Sequence, residues 1–469
     1  MNAPTEPTPP PSRSRARDLL VPLAGAAEQV AIARYLAKWL LLLTPVAMTI
    51  GSVSAAFLWA LEAVTELRWT YPWLLYGLPL AGVGSALLYH RFGRAVEGGN
   101  NLLMDEIHEP GAGVPPRIAP LIFVSTILAH LFGASVGREG TAVQMGGGIA
   151  SAFHRLFRLA PGDLRTLLMA GVAAGFGSVF GTPIAGAIFA MEVISIGRMQ
   201  YGALIPVLYA SLIADVTTAA WGVHHTAYHV AILGTDGRLP VDPVLMAKAA
   251  VAGVAFGLAA LCFAEAVHSM GRFFRWSAGW PLARPALGAV VTIGLVFVAG
   301  SDYLGLGVSS HDPHATTILS SFQDGGATWD AWAWKIAFTA VALGSGFKGG
   351  EVTPLFFVGA ALGNRLSVLL AGPTDLFAGL GFVAIFAGAA NTPLACTMMG
   401  IELFGADAAP YIAVACFVSY LVSGHSGIYS SQRVATPKVG AVPLDASLRV
   451  LREARERTPS ASAPTRRQP

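Results

Sequence analysis

Gly137-Arg138-Glu139-Gly140-Thr141, continuing as Ala142-Val143-Gln144-Met145-Gly146-Gly147-Gly148, decides how this chain is read. It follows directly on the strongly apolar run Pro120–Phe132. In a membrane, a carboxylate at such a depth is costly and marks a functional site by default. Gly137 and Gly140 let the backbone leave helical geometry and come close to a ligand, and Thr141 onward can begin a new helix whose free N–H groups face back toward Glu139. The pattern is that of an anion site with an acid inside it. In a soluble protein the same residues would be a Gly-rich bend around a satisfied buried glutamate, so the choice rests with the rest of the chain.

Hydrophobic residues make up 54% of the 469 positions and charged residues only 12%, with a mean hydropathy of +0.58. That composition excludes a soluble domain and points to an all-α integral membrane protein. The net charge of +3 is small, but its placement is informative. Arg13, Arg15, Arg17, Arg34 and Lys38 precede the first long apolar run, and Arg433, Lys438, Arg449 and Arg452 follow the last. By the positive-inside rule both termini are expected in the cytoplasm. Cys262, Cys396 and Cys416 lie in apolar surroundings without metal-type spacing and read as small core residues. The Pro-rich residues 1–14 read as a disordered tail rather than a cleavable signal.

Along the chain, residues 15–35 read as an amphipathic helix on the inner surface. Ala37–Leu67 and Pro72–His90 read as spans, with Trp69, Tyr71 and Trp73 as an interfacial belt. The polar Glu97–Glu106 is too short to span and reads either as a surface loop or as a re-entrant half-helix, with Asn100 at its N-terminal edge offering an amide donor. Leu167–Ile196, broken at Gly181-Thr182-Pro183, and Tyr201–Trp221 follow; Gly222–Pro240, with His224, His225 and His229, reads as a solvated external loop rather than a metal site. After Val244–His268, Pro285–Gly300 and Trp329–Leu343 comes a second break, Gly344-Ser345-Gly346-Phe347-Lys348-Gly349-Gly350-Glu351-Val352-Thr353-Pro354, with Pro354 near a helix start. Phe377–Ala390, Pro393–Phe404 and Ala409–Val422 complete the apolar set; residues 444–469 form a short tail.

The chain repeats itself. Gly181-Thr182-Pro183-Ile184-Ala185 resembles Asn391-Thr392-Pro393-Leu394-Ala395, and the same interval separates Pro183 from Pro393 and Glu192 from Glu402. Ser135 falls on Ser345 at that interval, and a shift of two residues places Glu139 and Thr141 on Glu351 and Thr353. Two related halves are expected, roughly 36–222 and 242–440 within a transporter domain of residues 15–443. Breaks at corresponding places in two halves point to a transporter whose site lies between them.

Together these stretches resemble the CLC family of anion channels and proton-coupled anion antiporters, over about Tyr35 to Lys438. The strongest motif is Gly137-Arg138-Glu139-Gly140 with Val143-Gln144-Met145-Gly146, although Thr141 stands where most members carry proline. The usual Gly-Ser-Gly-Ile-Pro element is replaced by Gly99-Asn100-Asn101-Leu102-Leu103, and the usual Gly-x-Phe-x-Pro element by Gly350-Glu351-Val352-Thr353-Pro354. Both replacements are similar to the fluoride/proton antiporter branch. The resemblance implies two inverted-topology halves with broken helices, a homodimer, Glu139 as gating glutamate, Asn100 at the anion-coordinating serine position and Tyr429 as central tyrosine. It further implies backbone donors at Val352 and Thr353, and the Thr353 hydroxyl. Chloride/proton antiporters of the family carry a Glu-Glu pair where this chain has Glu192-Val193. Val193 cannot carry a proton, so Glu351 is the candidate replacement.

Fluoride suits these residues. It is small and strongly hydrated, so a selective site must replace its water with close hydrogen-bond donors. Asn100, Thr353 and helix N-termini supply them. The expected function is export of cytoplasmic fluoride in exchange for protons across the cell membrane, giving fluoride resistance, without cofactor, metal or nucleic acid. A chloride or nitrate carrier or channel is the alternative within the fold. An intramembrane enzyme using Glu139 with His130 or His154 is the alternative outside it, and it lacks a nucleophile–base pair or an HExxH-type site.

Overall fold

The computed structural model describes residues 15–230 and 241–457, with side chains from residue 27 onward. The expected tail of residues 1–14, the end of the 222–240 loop and the last twelve positions lie outside the described residues. Sixteen α-helices follow one another with almost no strand between them. In the first half these are α1 (Arg15–Thr70), α2 (Leu78–Leu88), α3 (Asn100–His108), α4 (Ile118–Leu131), α5 (Glu139–Leu156), α6 (Pro161–Phe180), α7 (Pro183–Glu192) and α8 (Leu204–Ala220). The second half runs through α9 (Pro243–Ser277), α10 (Ala283–Ala299), α11 (Ala331–Ser345), α12 (Val352–Leu370), α13 (Thr374–Ala390), α14 (Pro393–Phe404) and α15 (Ala409–Val422). A last helix, α16 (Leu448–Arg457), packs Leu448 and Leu451 against Ile196 and Val434. Among the described residues six helices are long and apolar enough to cross a membrane, and α4, α7, α10, α13 and α14 are shorter apolar helices.

One expectation needs correction. Residues 15–35 do not form a separate surface helix, because α1 runs unbroken from Arg15 to Thr70. No proline or glycine stands between Ala26 and Lys38 to end it.

The repeat is visible in how helices end. α6 stops at Gly181 and α13 at Asn391, both left-handed (φ 75° and 58°), the conformation that Gly and Asn tolerate best. Thr182 and Thr392 follow with nearly identical dihedrals, and Pro183 and Pro393 open α7 and α14 at a position where the missing N–H costs nothing. Each half also holds a tight helix pair. A Cβ on Gly146 of α5 would strike the Gly171 carbonyl of α6, and one on Gly359 of α12 would strike that of Gly381 in α13. Small residues bring helix backbones together where lipid supplies no hydrophobic drive.

The halves cap each other. Glu192, at the end of α7, accepts hydrogen bonds from the Leu394 and Ala395 N–H groups (3.1 and 2.8 Å) at the start of α14. Glu402, on α14, accepts from Ile184 and Ala185 (2.9 and 2.7 Å) at the start of α7. These are the orphan donors of two helix N-termini, which in apolar surroundings must find an acceptor. Two helix starts are thereby tied to the opposite half by four hydrogen bonds to carboxylates. Glu402→Ala, which removes two acceptors at once, should lower stability by about 2 kcal/mol, with Glu402→Gln intermediate. Thermal unfolding in detergent checks this, and an unchanged midpoint in the alanine variant would show that the caps are incidental.

Candidate functional site

Gly137 and Gly350 exchange two backbone hydrogen bonds, Gly137 N to Gly350 O at 2.6 Å and Gly350 N to Gly137 O at 2.8 Å. This antiparallel bridge joins the two breaks and sets the N-termini of α5 and α12 against each other. Only glycine fits at Gly350, because a Cβ there would lie 2.7 Å from the Gly140 nitrogen.

Glu139, the first residue of α5, is fully buried. Its Oε2 accepts from Thr353 twice, from the backbone N–H at 3.1 Å and from the hydroxyl at 2.6 Å. Its Oε1 lies 3.4 Å from Arg138 Nε. The carboxylate thus takes up donors of the first turn of α12, where N–H groups lack intrahelical partners and the helix dipole favours negative charge. Thr141 is held separately, its hydroxyl 2.8 Å from that of Thr126 on α4.

Glu97–Glu106 resolves as the half-helix: α3 starts at Asn100, after Gly99 in an extended positive-φ conformation (φ 54°, ψ −126°) that a side chain would not adopt. A Cβ on Gly140 would meet Asn100 Nδ2 at 3.1 Å and Glu351 Oε2 at 3.6 Å, so the amide, this second carboxylate and the α5 N-terminus share one small space. Asn100 Oδ1 and Glu351 Oε2 are both buried without a hydrogen-bond partner. Glu351 is not paired with Lys348; the Lys348 ammonium lies instead 4.4 Å from the centre of the Tyr89 ring. Asn100, Glu351 and buried Tyr429 line a cavity of about 180 Å³, on the face of the molecule that carries the C-terminal helix. Val352 is buried beside Thr353.

The other side of Asn100 differs. Asn100 and Tyr429 also border a space of only about 10 Å³, walled by Val143, Val172, Phe189 and Val193. Such a space holds at most one water and offers that water few polar partners. Beyond Glu139, on the opposite face, Arg138 lines a cavity of about 310 Å³ together with Glu62, Glu66, His224 and His225. His224 and His225 of the 222–230 loop therefore edge this mouth. Among the described residues no group of three metal-ligating side chains assembles anywhere.

The residues of the enzyme alternative are not brought together. His154 sits in the last turn of α5, about 22 Å along the axis from Glu139 at 1.5 Å per residue. His130 is buried, with Nδ1 2.8 Å from the Thr126 carbonyl oxygen and Nε2 without a partner.

Several positioning residues carry no clear signal in the sequence. Asn101 accepts the Ser431 N–H at 2.9 Å, tying α3 to the Tyr429 loop. Gln432 bonds the Val193 and Ala390 carbonyls and receives Asn391, anchoring that loop to both halves. Gln144 packs over Gly99, and it alone stands inside the quoted motif.

Thr353→Val should remove the shorter of the two hydrogen bonds and reduce the population of this Glu139 conformer about tenfold relative to alternatives. Crystallographic occupancies at matched pH measure it; an undiminished occupancy would mean that the backbone N–H alone holds the carboxylate.

Comparison with known proteins agrees with this architecture. Residues 81–424 match the family model described as voltage gated chloride channel. A chloride/fluoride channel protein of Pseudomonas syringae pv. tomato is 49% identical over 88% of this chain and 90% of its own length. The crystal structure of a CLC-type fluoride/proton antiporter superposes with a TM-score of 0.79 at 32% identity, covering 85% of this chain and 98% of that one. A slow cyanobacterial Cl⁻/H⁺ antiporter shares the fold at a TM-score of 0.67 and 20% identity.

Proposed function

We infer that this chain, which belongs to the voltage gated chloride channel (CLC) family, is a membrane antiporter that moves fluoride and protons in exchange. The observation that carries the reading is the Glu139 carboxylate seated on the Thr353 N–H and hydroxyl. An ionised carboxylate and an anion need the same donors. Protonation of Glu139 weakens its claim on them, and an arriving anion displaces it, so the two fluxes are linked through one set of hydrogen bonds. The similarity to a chloride/fluoride channel protein and to a fluoride/proton antiporter favours fluoride over chloride or nitrate.

In this reading Asn100 supplies an amide donor, Val352 and Thr353 supply backbone donors at a helix N-terminus, and Tyr429 closes the path beside them. Glu351 stands between Glu139 and the larger cavity with an unpartnered oxygen, the position of a proton relay. The alternative course past Val193 is apolar and nearly filled. The excess of Lys and Arg near both ends favours placing the termini, and the cavity lined by Lys348, in the cytoplasm of a cell bounded by its plasma or inner membrane. Net fluoride export driven by proton entry follows, conferring fluoride resistance without catalysis of any bond change. The exposed apolar faces of α8 and α15, with Leu212, Val216, Phe417 and Leu421, suit pairing of two copies.

The deciding experiment is simultaneous measurement of fluoride, chloride and proton flux in reconstituted liposomes, with and without a pH gradient. Fluoride movement without proton movement would leave a channel, and chloride movement at equal rate would leave an unselective carrier. Glu139→Gln keeps shape but cannot change charge, and should abolish proton coupling; Glu351→Gln should lose proton movement selectively. Normal coupled exchange in either variant removes that residue from the proton path.

Asn100→Ser withdraws the amide donor and leaves room for a larger, less hydrated anion. The fluoride-to-chloride flux ratio should fall about tenfold, the worth of one charge-assisted hydrogen bond. An unchanged ratio would place selectivity with Val352 and Thr353.

A further inference from the structure

Lys348 is a cation with no carboxylate in contact, and Glu97 acts on it only at a distance. Among the described residues no carboxylate lies within 4.0 Å of its ammonium, and its one close partner is the Tyr89 ring at 4.4 Å. The Lys348 side chain is half-buried, and an ammonium partly withdrawn from water without a contacting counter-ion suits an anionic ligand. Its position says which. Lys348 lines both the 180 Å³ cavity that reaches Asn100, Glu351 and Tyr429 and a wider one of about 390 Å³ that holds His268, Arg275 and Arg284. It therefore stands at their junction. The acid bordering both cavities is Glu97, which is solvent-exposed.

A second orphan points the same way. Tyr89 is buried, borders both cavities, and its hydroxyl has no hydrogen-bond partner. It begins a five-residue π-helical turn, Tyr89–Gly93, at the end of α2. Such turns break the regular ladder and recur at functional positions. The turn places the ring under the ammonium, holding Lys348 by a cation–π contact that leaves its three N–H donors free for something else.

We propose that Lys348 and Tyr89 form a loading site for a small, strongly hydrated anion, where fluoride exchanges part of its water for the ammonium before passing to Asn100. This rests on the fluoride/proton reading above. A compact ammonium suits a compact anion better than a broad guanidinium does. The surrounding Arg275 and Arg284 raise the local anion concentration in the wide cavity, and among the described residues Lys348 is the cation that also borders the narrow one. The site lies a cavity's length from Glu139, so it governs capture of the anion rather than coupling.

The test uses full-length protein in liposomes, with initial fluoride and proton rates measured against fluoride concentration at low and high ionic strength. Lys348→Met should raise the KM for fluoride about tenfold with kcat and the fluoride-to-proton ratio kept, and should weaken the salt dependence of uptake. Lys348→Arg, which keeps the charge but not the compact ammonium, should recover only part of the affinity, and Tyr89→Phe should raise KM alone. A purely structural lysine would instead lower kcat or the thermal midpoint in Lys348→Met and leave KM and salt dependence unchanged; that result overturns the site. Wild-type protein that moves no fluoride would overturn the transport reading and the site together. Wild-type exchange that is normal, with an unaltered Lys348→Met, overturns the site alone.

Discussion

The two hydrogen bonds between Gly137 and Gly350 are what the rest of the site depends on. A polypeptide inside a bilayer cannot leave backbone groups unpaired, and non-helical backbone survives there only when buried in protein or facing a cavity. Each half of this chain breaks its helix at the same place, and each break satisfies the other. The consequence is geometric. Once the breaks are joined, the N-termini of α5 and α12 converge, and Glu139 reaches Thr353 although 214 positions separate them in sequence. Glycine is obligatory because the approach leaves no space for a Cβ.

The same logic recurs at the reciprocal caps of α7 and α14. Glu192 and Glu402 are acids in apolar helices, yet each is fully occupied with two N–H donors of the opposite half. They are unlike Glu351, whose outer oxygen has no partner. Glu139 resembles the capping pair in accepting two donors from the opposite half, but one of its donors is a side-chain hydroxyl, at the junction of the two helix breaks. The contrast shows why an acid in a membrane helix is ambiguous until its hydrogen bonds are known.

Much of this was legible in the sequence because period and punctuation survive in it. Gly-Thr-Pro and Asn-Thr-Pro announced the paired helix ends, and the common interval to Glu192 and Glu402 announced the repeat. The polar stretch at Asn100, too short to span, leaves a surface loop and a half-helix both open in the sequence, and the structure has the half-helix. What could not be read were contacts set by three-dimensional closure. Nothing in Asn101, Gln432 or Asn391 says that they fasten the Tyr429 loop, and nothing in Lys348 says that it turns to Tyr89 rather than to Glu351 three residues away. The continuity of α1 is hidden for a different reason: the change from polar to apolar composition along it is not a boundary, because a helix ends only where its hydrogen-bond ladder is interrupted.

Cavity size then constrains the proposed proton path. Beside Val193 the path is about 10 Å³ and apolar, so neither a side chain nor a hydrogen-bonded file of water can carry charge there. Beside Glu351 the space is some eighteen times larger, at about 180 Å³, and lined by Asn100, Lys348 and Glu97. An anion entering by Lys348 and a proton leaving by Glu351 would share that one cavity. Their charges assist each other, since an anion near Glu351 favours the protonated carboxyl and a protonated carboxyl removes a repulsive charge from the anion's way. Substitution of the internal acid by valine at position 193 is therefore more than the loss of a route. In the proposed reading it leaves the two ions a common route on the terminal side, with their separation deferred to Glu139, where one carboxylate would choose between its proton and the donors of Thr353.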